Sequence, residues 1–377
     1  MALAASPPLT NNSATYRTHL LSERMFLRAL CQERKRAERS RRHFVLMLVT
    51  PDKASLNGTA AAVLNKTVSA ILSSMRDTDI SGWQTQDRVL GVIFTELGTQ
   101  DTRLVVTALH ARVTAALRSA LVPELLSHLQ LSFHSFPDTG DSLVVGRRTL
   151  ASLYPDLTQL DRARRVSRVV KRAIDVAGSS IVVIVLSPLL LAIAAAIKLT
   201  SPGPVLFRQQ RVGQYGGLFT FLKFRSMHAS CDTQLHRAFV TQFIEGNMPA
   251  SASGQNGKVV YKITKDPRVT RVGRILRRTS LDELPQLLNV LWGAMSLVGP
   301  RPPIPYELEK YDIWHRRRIL EAKPGITGLW QVNGRSRLRF DDQVRLDLKY
   351  AQTWSIWLDL KILLRTPRAV LSGEGAH

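Results

Sequence analysis

No charged residue falls between Asp175 and Lys198, and the run from Val176 to Ile197 is built mostly of Ile, Val, Leu and Ala. As a straight helix this run would measure about 33 Å, comparable with a hydrocarbon core of about 30 Å, so the pattern predicts membrane insertion. Ser187-Pro188 interrupts it near the middle. Proline removes a backbone donor and bends a helix, and the Ser187 hydroxyl can satisfy a freed carbonyl. Basic residues flank both ends: Arg164, Arg165, Arg168, Lys171 and Arg172 before the run, Lys198, Arg208 and Arg211 after it. The positive-inside tendency keeps both flanks in the cytoplasm. A helix-break-helix hairpin that enters one leaflet and returns meets both conditions, and a Pro-kinked spanning helix is the alternative.

A second amphipathic stretch lies near the C-terminus. Trp354, Ile356, Trp357, Leu358, Leu360, Ile362, Leu363 and Leu364 are interleaved there with Asp359, Lys361, Arg365 and Arg368. Such a helix either lies in the headgroup plane against anionic membrane lipids or packs on a core with its charged face outward.

Ahead of the hairpin, residues 1–20 read as a flexible tail. Residues 21–137 follow as a charged helix, an apolar strand at Phe44 to Val49 and a helix around Leu56 to Met75. A hairpin of Ile80-Ser81-Gly82-Trp83 with Val89 to Phe94 comes next, then a helix from about Asp101 to Leu121 and a strand at Leu129 to Phe136. This βαββαβ order predicts a small soluble α/β domain. A basic linker, 138–167, leads to the membrane hairpin at 168–200. Residues 201–377 form a second, mainly α domain that carries short strands at Val205 to Phe207 and Phe219 to Phe224. Gly246 to Gly257, rich in Ser, Ala, Gly and Asn, reads as a mobile insertion.

Composition narrows the partners. An apolar share of 45% with 21% charged residues is that of a folded protein, and 52 Lys and Arg against 29 Asp and Glu give a net charge of +23. So large an excess asks for an anionic partner, whether nucleic acid, anionic lipid or a phosphorylated substrate. The uncharged run and the lack of an interleaved basic and aromatic surface count against nucleic acid. Cys31 and Cys231 are far apart and form no C-x-x-C pair, so neither a disulfide framework nor a zinc site is indicated. The N-terminal residues lack the basic start and apolar core of a secretory signal, so a reducing interior is the default location.

The densest candidate chemistry is Thr279-Ser280-Leu281-Asp282-Glu283-Leu284-Pro285-Gln286, preceded by Arg268, Arg271, Arg274, Arg277 and Arg278 and followed by Gly299-Pro300-Arg301-Pro302. Adjacent carboxylates among so many cations suit a phosphate-handling site that holds a nucleophile or metal ligand. The same residues also fit a structural capping box, with Ser280 as N-cap and Glu283 reaching back.

Two resemblances sharpen this reading. The order of elements over 21–137, with Arg76-Asp77-Thr78-Asp79-Ile80-Ser81-Gly82 entering the hairpin, resembles the nucleotide-cyclase-like fold of GGDEF domains. The turn reads Gln84-Thr85-Gln86-Asp87-Arg88, without that family's glycine pair and acids, which implies a degenerate domain without cyclase activity. More specifically, Arg208 to Gly213, Lys223 to Met227, Asp266 to Thr270, Thr279 to Gln286, Ser296 to Pro302 and Lys323 to Gly328 occur in the order of the bacterial sugar transferases. These are monotopic polyprenyl-phosphate phosphoglycosyl transferases, and the resemblance covers Arg168 to His377.

The resemblance implies transfer of a sugar 1-phosphate from a UDP-sugar to undecaprenyl phosphate, with Mg²⁺ and release of UMP. It makes the Ser187-Pro188 hairpin a re-entrant anchor at the cytoplasmic face of a bacterial inner membrane. Asp282 becomes the nucleophile and a metal ligand, Glu283 its support, Arg277 and Arg301 the phosphate-binding cations, and Lys223 and Arg225 further anion contacts. Ala294 departs from the family, which commonly has an acid there. The run from Gly328 to Arg335, with Asp347, Tyr350, Trp354 and Asp359, resembles the branch that starts exopolysaccharide or O-antigen repeats, implying a glucose or galactose donor. A homo-oligomer is compatible with all of this. The competing reading is an inactive membrane-anchored scaffold whose first domain binds a nucleotide.

Overall fold

The computed structural model describes residues 20–40, 42–51, 60–98, 101–137, 152–157, 164–228, 234–246, 268–334 and 337–371. The tail, Asp266-Pro267, most of the expected linker and the expected insertion beyond Gly246 lie outside the described residues. The described residues up to 157 form one compact unit and those from 164 onward a second.

In the first unit, α1 (Glu23–Ser40) precedes β1 (Phe44–Pro51), α2 (Ala60–Ser73), the hairpin β2 (Ile80–Thr85) and β3 (Val89–Phe94), α3 (Thr102–Ala120), the short α4 (Pro123–Ser127) and β4 (Leu129–Phe136). The strands pair antiparallel in the order β2-β3-β1-β4. Alternation along β1 sends Val45, Met47 and Val49 into a core with Ile71 of α2 and Val113 and Leu117 of α3. The opposite face is covered as well: Phe26 of α1 lies so close over Gly91 that a Cβ there would come within 2.4 Å of its ring. Residues 152–157, expected in the linker, belong to this unit, because the buried Arg34 guanidinium donates to both Asp156 carboxylate oxygens (2.9 and 2.8 Å) and to Leu153 O.

The second unit opens with α5 (Arg165–Val185) and α6 (Ser187–Thr200), which meet at Leu186 with a bend of 63°. No single described helix is long and apolar enough to cross a membrane, but this bent pair passes on length and composition. The Ser187 hydroxyl donates to Ile184 O at 2.8 Å, satisfying a carbonyl freed where the helix breaks. Ile181, Ile184, Val185 and Leu191 are exposed around the bend.

The cations ahead of α5 and within it serve a different purpose from the one the positive-inside argument gave them. Arg164 donates to Ala351 O and Gln352 O, and Arg172 donates to Val290 O and Leu291 O. Lys171 is ion-paired with the buried Asp359, which also accepts from Tyr350 and Trp354. Asp175 accepts from Ser296 Oγ and Leu297 N. The base of the bent pair is therefore docked into its own domain by polar contacts, most of them partly or fully buried, while Arg165 and Lys198 remain exposed.

Next come the antiparallel hairpin β5 (Leu206–Val212) and β6 (Leu218–Phe224), α7 (Gln234–Ile244), α8 (Arg271–Thr279) and α9 (Gln286–Trp292). The short parallel strands β7 (Ser296–Val298) and β8 (Gly325–Thr327) enclose α10 (Pro305–Leu308) and α11 (Ile313–Glu321). Then α12 (Leu329–Asn333), α13 (Phe340–Thr353) and α14 (Ile356–Leu371) complete the unit. The C-terminal stretch packs on a core, the second of the two alternatives expected for it. On α14, Asp359 and Ile362 are buried against the domain, whereas Trp357 and Leu364 are exposed.

Candidate active site

The site is assembled where β6, α8 and the loop after β7 converge. Among the described residues β6 pairs with β5 alone, and on its other edge Asn289 of α9 takes a strand's place: its amide donates to Thr220 O at 2.7 Å and accepts from Leu222 N at 3.0 Å. One buried side chain thus fixes the strand immediately before Lys223.

The α8 helix is held from both ends. Thr270 caps its first turn by accepting from Gly273 N at 2.9 Å, and Thr270 N donates to Ser226 O at 3.1 Å. Gly273 is required by this approach, since a Cβ there would sit 2.0 Å from Ser226 O. Arg277 Nε donates to Ser226 Oγ at 3.1 Å, so the last turn of α8 is tied to the same loop.

The helix ends at Ser280, which is left-handed (φ 56°, ψ 17°), and a 3₁₀ turn follows at Leu281–Glu283. This corrects the capping-box alternative. Ser280 makes no N-cap side-chain bond and serves as the C-cap of α8, and the reversal turns Asp282 inward. Asp282 is 2% exposed and its Oδ2 lies 2.5 Å from Lys223 Nζ. Burial pushes its carboxyl above the usual range, Lys223 pulls it back down, Glu283 adds to the rise, and Arg277 opposes it. Glu283 stays partly exposed, with Oε1 3.7 Å from Arg301 Nη1.

Arg301 sits in a loop pinned from three sides. Val212 N donates to Pro303 O (2.9 Å), Arg211 Nη1 to Pro302 O (2.9 Å) and Arg318 Nη2 to Arg301 O (2.8 Å). Arg318 is in turn ion-paired with Asp347 at 3.2 Å, both side chains being buried. Burial pushes Asp347 up to about 7 against the pull of Arg318. Sequence reasoning gave Arg318 and Asn289 no role. For Asn289, an amide inside the apolar run of α9 was the available signal, whereas Arg318 is one of three consecutive arginines and nothing in the sequence sets it apart.

Lys223, Asp282, Glu283, Arg277 and Arg301 are thus brought together by the fold. Arg225 is not among them. It is buried, and its guanidinium donates to Ser201 O, Ser201 Oγ and Pro202 O, so it braces the end of α6 against the loop after β6 instead of facing an anion.

Among the described residues no cluster of three acidic, His or Cys side chains is preformed for a metal. The donor set fits Mg²⁺ bound through one or two carboxylates and shared with substrate phosphates. With Asp282 Oδ2 against Lys223, the more accessible ligand is Glu283.

The family model for bacterial sugar transferases matches residues 166–373. The chain belongs to that family. The undecaprenyl-phosphate galactose phosphotransferase of Salmonella typhimurium is 42% identical over 221 residues, which cover 58% of this chain and 44% of that protein. The UDP-glucose:undecaprenyl-phosphate glucose-1-phosphate transferase of Caulobacter vibrioides is 44% identical over 221 residues, covering 55% of this chain and 72% of that protein. The chain spans less than half the length of the Salmonella relative. Among solved structures, a diguanylate cyclase of Pseudomonas aeruginosa in complex with its activator matches at a TM-score of 0.27 with 21% identity, over 37% of this chain and 56% of that one. A score that low leaves the fold of the first unit to its own βαββαβ order.

Proposed function

We propose that this chain transfers a sugar 1-phosphate, from UDP-glucose or UDP-galactose, to undecaprenyl phosphate at the cytoplasmic face of a bacterial inner membrane. UMP is released, and the product starts an exopolysaccharide or O-antigen repeat. The observation that carries the reading is the buried Asp282 carboxylate against Lys223, in a segment shared with relatives named for this transfer.

In the first step an Asp282 oxygen attacks the phosphorus nearer the sugar. The Asp–O–P bond forms as the P–O bond to UMP breaks, and UMP leaves with the bonding pair. Burial raises the Asp282 carboxyl, and Lys223 opposes that rise, because proximity to a cation favours the charged form. Arg301 and Arg277 hold the diphosphate, their planar guanidinium groups suiting bidentate contact. Glu283, with Asp282 beside it, would hold a Mg²⁺ whose contribution is to neutralise charge on the departing phosphate. In the second step an oxygen of the lipid phosphate attacks the same phosphorus, the bond to Asp282 breaks, and the carboxylate is restored. The bent α5–α6 pair, as a re-entrant anchor, keeps this pocket at the membrane surface where the lipid phosphate lies.

The test is UMP release from a panel of UDP-sugars by detergent-solubilised protein, with and without undecaprenyl phosphate. Lipid-dependent release with UDP-glucose or UDP-galactose is expected. Folded protein that releases UMP from no donor contradicts the reading.

A further inference from the structure

Arg172, in the third turn of α5, and Lys323, two residues ahead of β8, converge on the C-terminal turn of α9. Arg172 Nη1 donates to Val290 O and Nη2 to Leu291 O (2.5 and 2.7 Å), and Lys323 Nζ donates to Gly293 O at 2.9 Å. Both cations meet carbonyls here, and neither has a carboxylate within ion-pairing distance among the described residues. The acids on and beside α5 are engaged elsewhere: Asp359 is ion-paired with Lys171, and Asp175 accepts from Ser296 Oγ and Leu297 N. Burial lowers the Lys323 ammonium below the usual lysine range, and the charges of Arg172, Lys171 and Arg168 lower it further against the pull of Asp175. Carbonyl dipoles use two donors of Arg172 and one of Lys323 yet cancel no net charge, so the cluster keeps both its cations and spare N–H groups for an anion.

The position of the cluster along α5 says which anion. The uncharged run begins at Val176, about one helical turn after Arg172. Arg172 also lies against Gly293, where an added Cβ would meet its guanidinium at 3.5 Å. Trp292 is the residue next to that glycine, and it is 69% exposed at the end of α9. The indole is thereby held at the level of the last cationic turn before the uncharged run, the depth at which amphipathic aromatic rings meet lipid headgroups. On α5 itself Val169 and Val176 are exposed, so apolar surface continues from this level into the bent pair. Cations with spare donors, an exposed indole and adjoining apolar surface match the phosphodiester, the glycerol backbone and the acyl chains of one anionic lipid. A soluble phosphate would use the cations alone.

We propose that Arg172, Lys323 and Trp292 form a headgroup site for an anionic phospholipid. The assignment rests on the reading of α5 and α6 as a membrane anchor. Asp282 precedes the first turn of α9 and Trp292 ends its last, so the lipid lies beside the Asp282 site and not in it. The carbonyls of Val290, Leu291 and Gly293 fix both cationic side chains in advance, so binding orders little new structure. By bridging α5 and α9 the headgroup sets the depth at which this unit sits on the bilayer.

The experiment measures lipid binding to the intact chain in detergent micelles by native mass spectrometry, with phosphatidylglycerol and phosphatidylcholine as probes. Wild type is expected to bind phosphatidylglycerol at least about tenfold more tightly than phosphatidylcholine. Lys323→Gln keeps a donor for Gly293 O and drops the charge, and it should lose about fivefold in phosphatidylglycerol affinity, whereas Lys323→Arg stays within about twofold. Trp292→Ala should lose about threefold or more. Equal wild-type affinity for the two lipids, or a glutamine variant that binds phosphatidylglycerol as wild type does, overturns the site. If the glutamine variant does not fold, Trp292→Ala with wild-type affinity overturns it, since this exposed indole is removed without opening a core. Equimolar glycerol 1-phosphate that displaces the lipid assigns the cations to a soluble phosphate and overturns the lipid site, and equimolar undecaprenyl phosphate that displaces it does the same in favour of the acceptor. A chain that leaves membranes in high salt without detergent overturns the anchor reading and this site together, whereas a firmly embedded chain without lipid preference overturns the site alone.

Discussion

Lys223 Nζ lies 2.5 Å from Asp282 Oδ2, joining the end of β6 to the 3₁₀ turn after α8. The pair sets two opposed influences on one carboxylate: burial, which favours its neutral form, and a cation, which favours the anion. Attack on phosphorus requires the anion. Lys223→Met should therefore shift the acid limb of the kcat/KM profile to higher pH, with a loss of about tenfold or more at pH 6 and a smaller one at pH 8. An unshifted limb would separate Lys223 from the ionisation of Asp282.

Asn289 holds β6 in place through two buried hydrogen bonds. Asn289→Ala leaves Thr220 O and Leu222 N without partners, at about 1–3 kcal/mol for each buried group. Thermal unfolding should fall by several degrees, and activity should fall as well because Lys223 loses its fixed position. A fully active variant with a lowered midpoint would confine Asn289 to stability.

Beneath Arg301, the Arg318–Asp347 pair makes a pH prediction with a definite sign. Asp347 binds its proton more tightly in the folded state, up to about 7, than an unfolded carboxyl does. Its contribution to stability is therefore greatest below the ordinary carboxylate range and declines as pH rises from about 4 to about 7. Asp347→Asn should remove that decline, so that the gap between variant and wild-type midpoints widens in the variant's favour toward neutral pH. Arg318→Met, in contrast, strands the carboxyl and frees the Arg301 carbonyl, costing about 3–5 kcal/mol.

The bend at Leu186 predicts topology. If α5 and α6 return to the side they entered, cysteines placed at either end of the chain should be labelled only from the cytoplasmic side. Pro188→Leu should straighten part of the population into a spanning helix and expose the C-terminus on the opposite face. A C-terminus already on that face in the wild type would exclude the re-entrant anchor.

Much of the fold was legible in the sequence, since the uncharged run, its Ser187-Pro188 interruption and the βαββαβ alternation each follow from local periodicity. Asp282 and Glu283 stood out as adjacent acids among crowded cations, while Arg277 and Arg301 were singled out by the resemblance to the family. Long-range geometry was not legible in the same way. The flanking cations Arg164, Lys171 and Arg172 read as membrane-surface charges, and their partners lie more than a hundred residues downstream. Ser226 Oγ, Asn289 and Arg318 act through contacts that no spacing rule reveals, and Arg225 resembles an anion ligand until the carbonyls of Ser201 and Pro202 are seen against it. Ser280 fits an N-cap in sequence, and only its left-handed backbone shows that it ends one helix before the turn of Asp282 begins.

The most direct test of the account is to trap the intermediate. The chain incubated with UDP-glucose or UDP-galactose in the absence of undecaprenyl phosphate, quenched in acid and digested, should yield the peptide containing Asp282 with the added mass of one hexose phosphate. Asp282→Asn should fold, stay membrane-bound and yield only the unmodified peptide. A wild-type enzyme that turns over yet carries no phosphosugar on Asp282, or an asparagine variant that keeps its activity, would contradict the covalent mechanism.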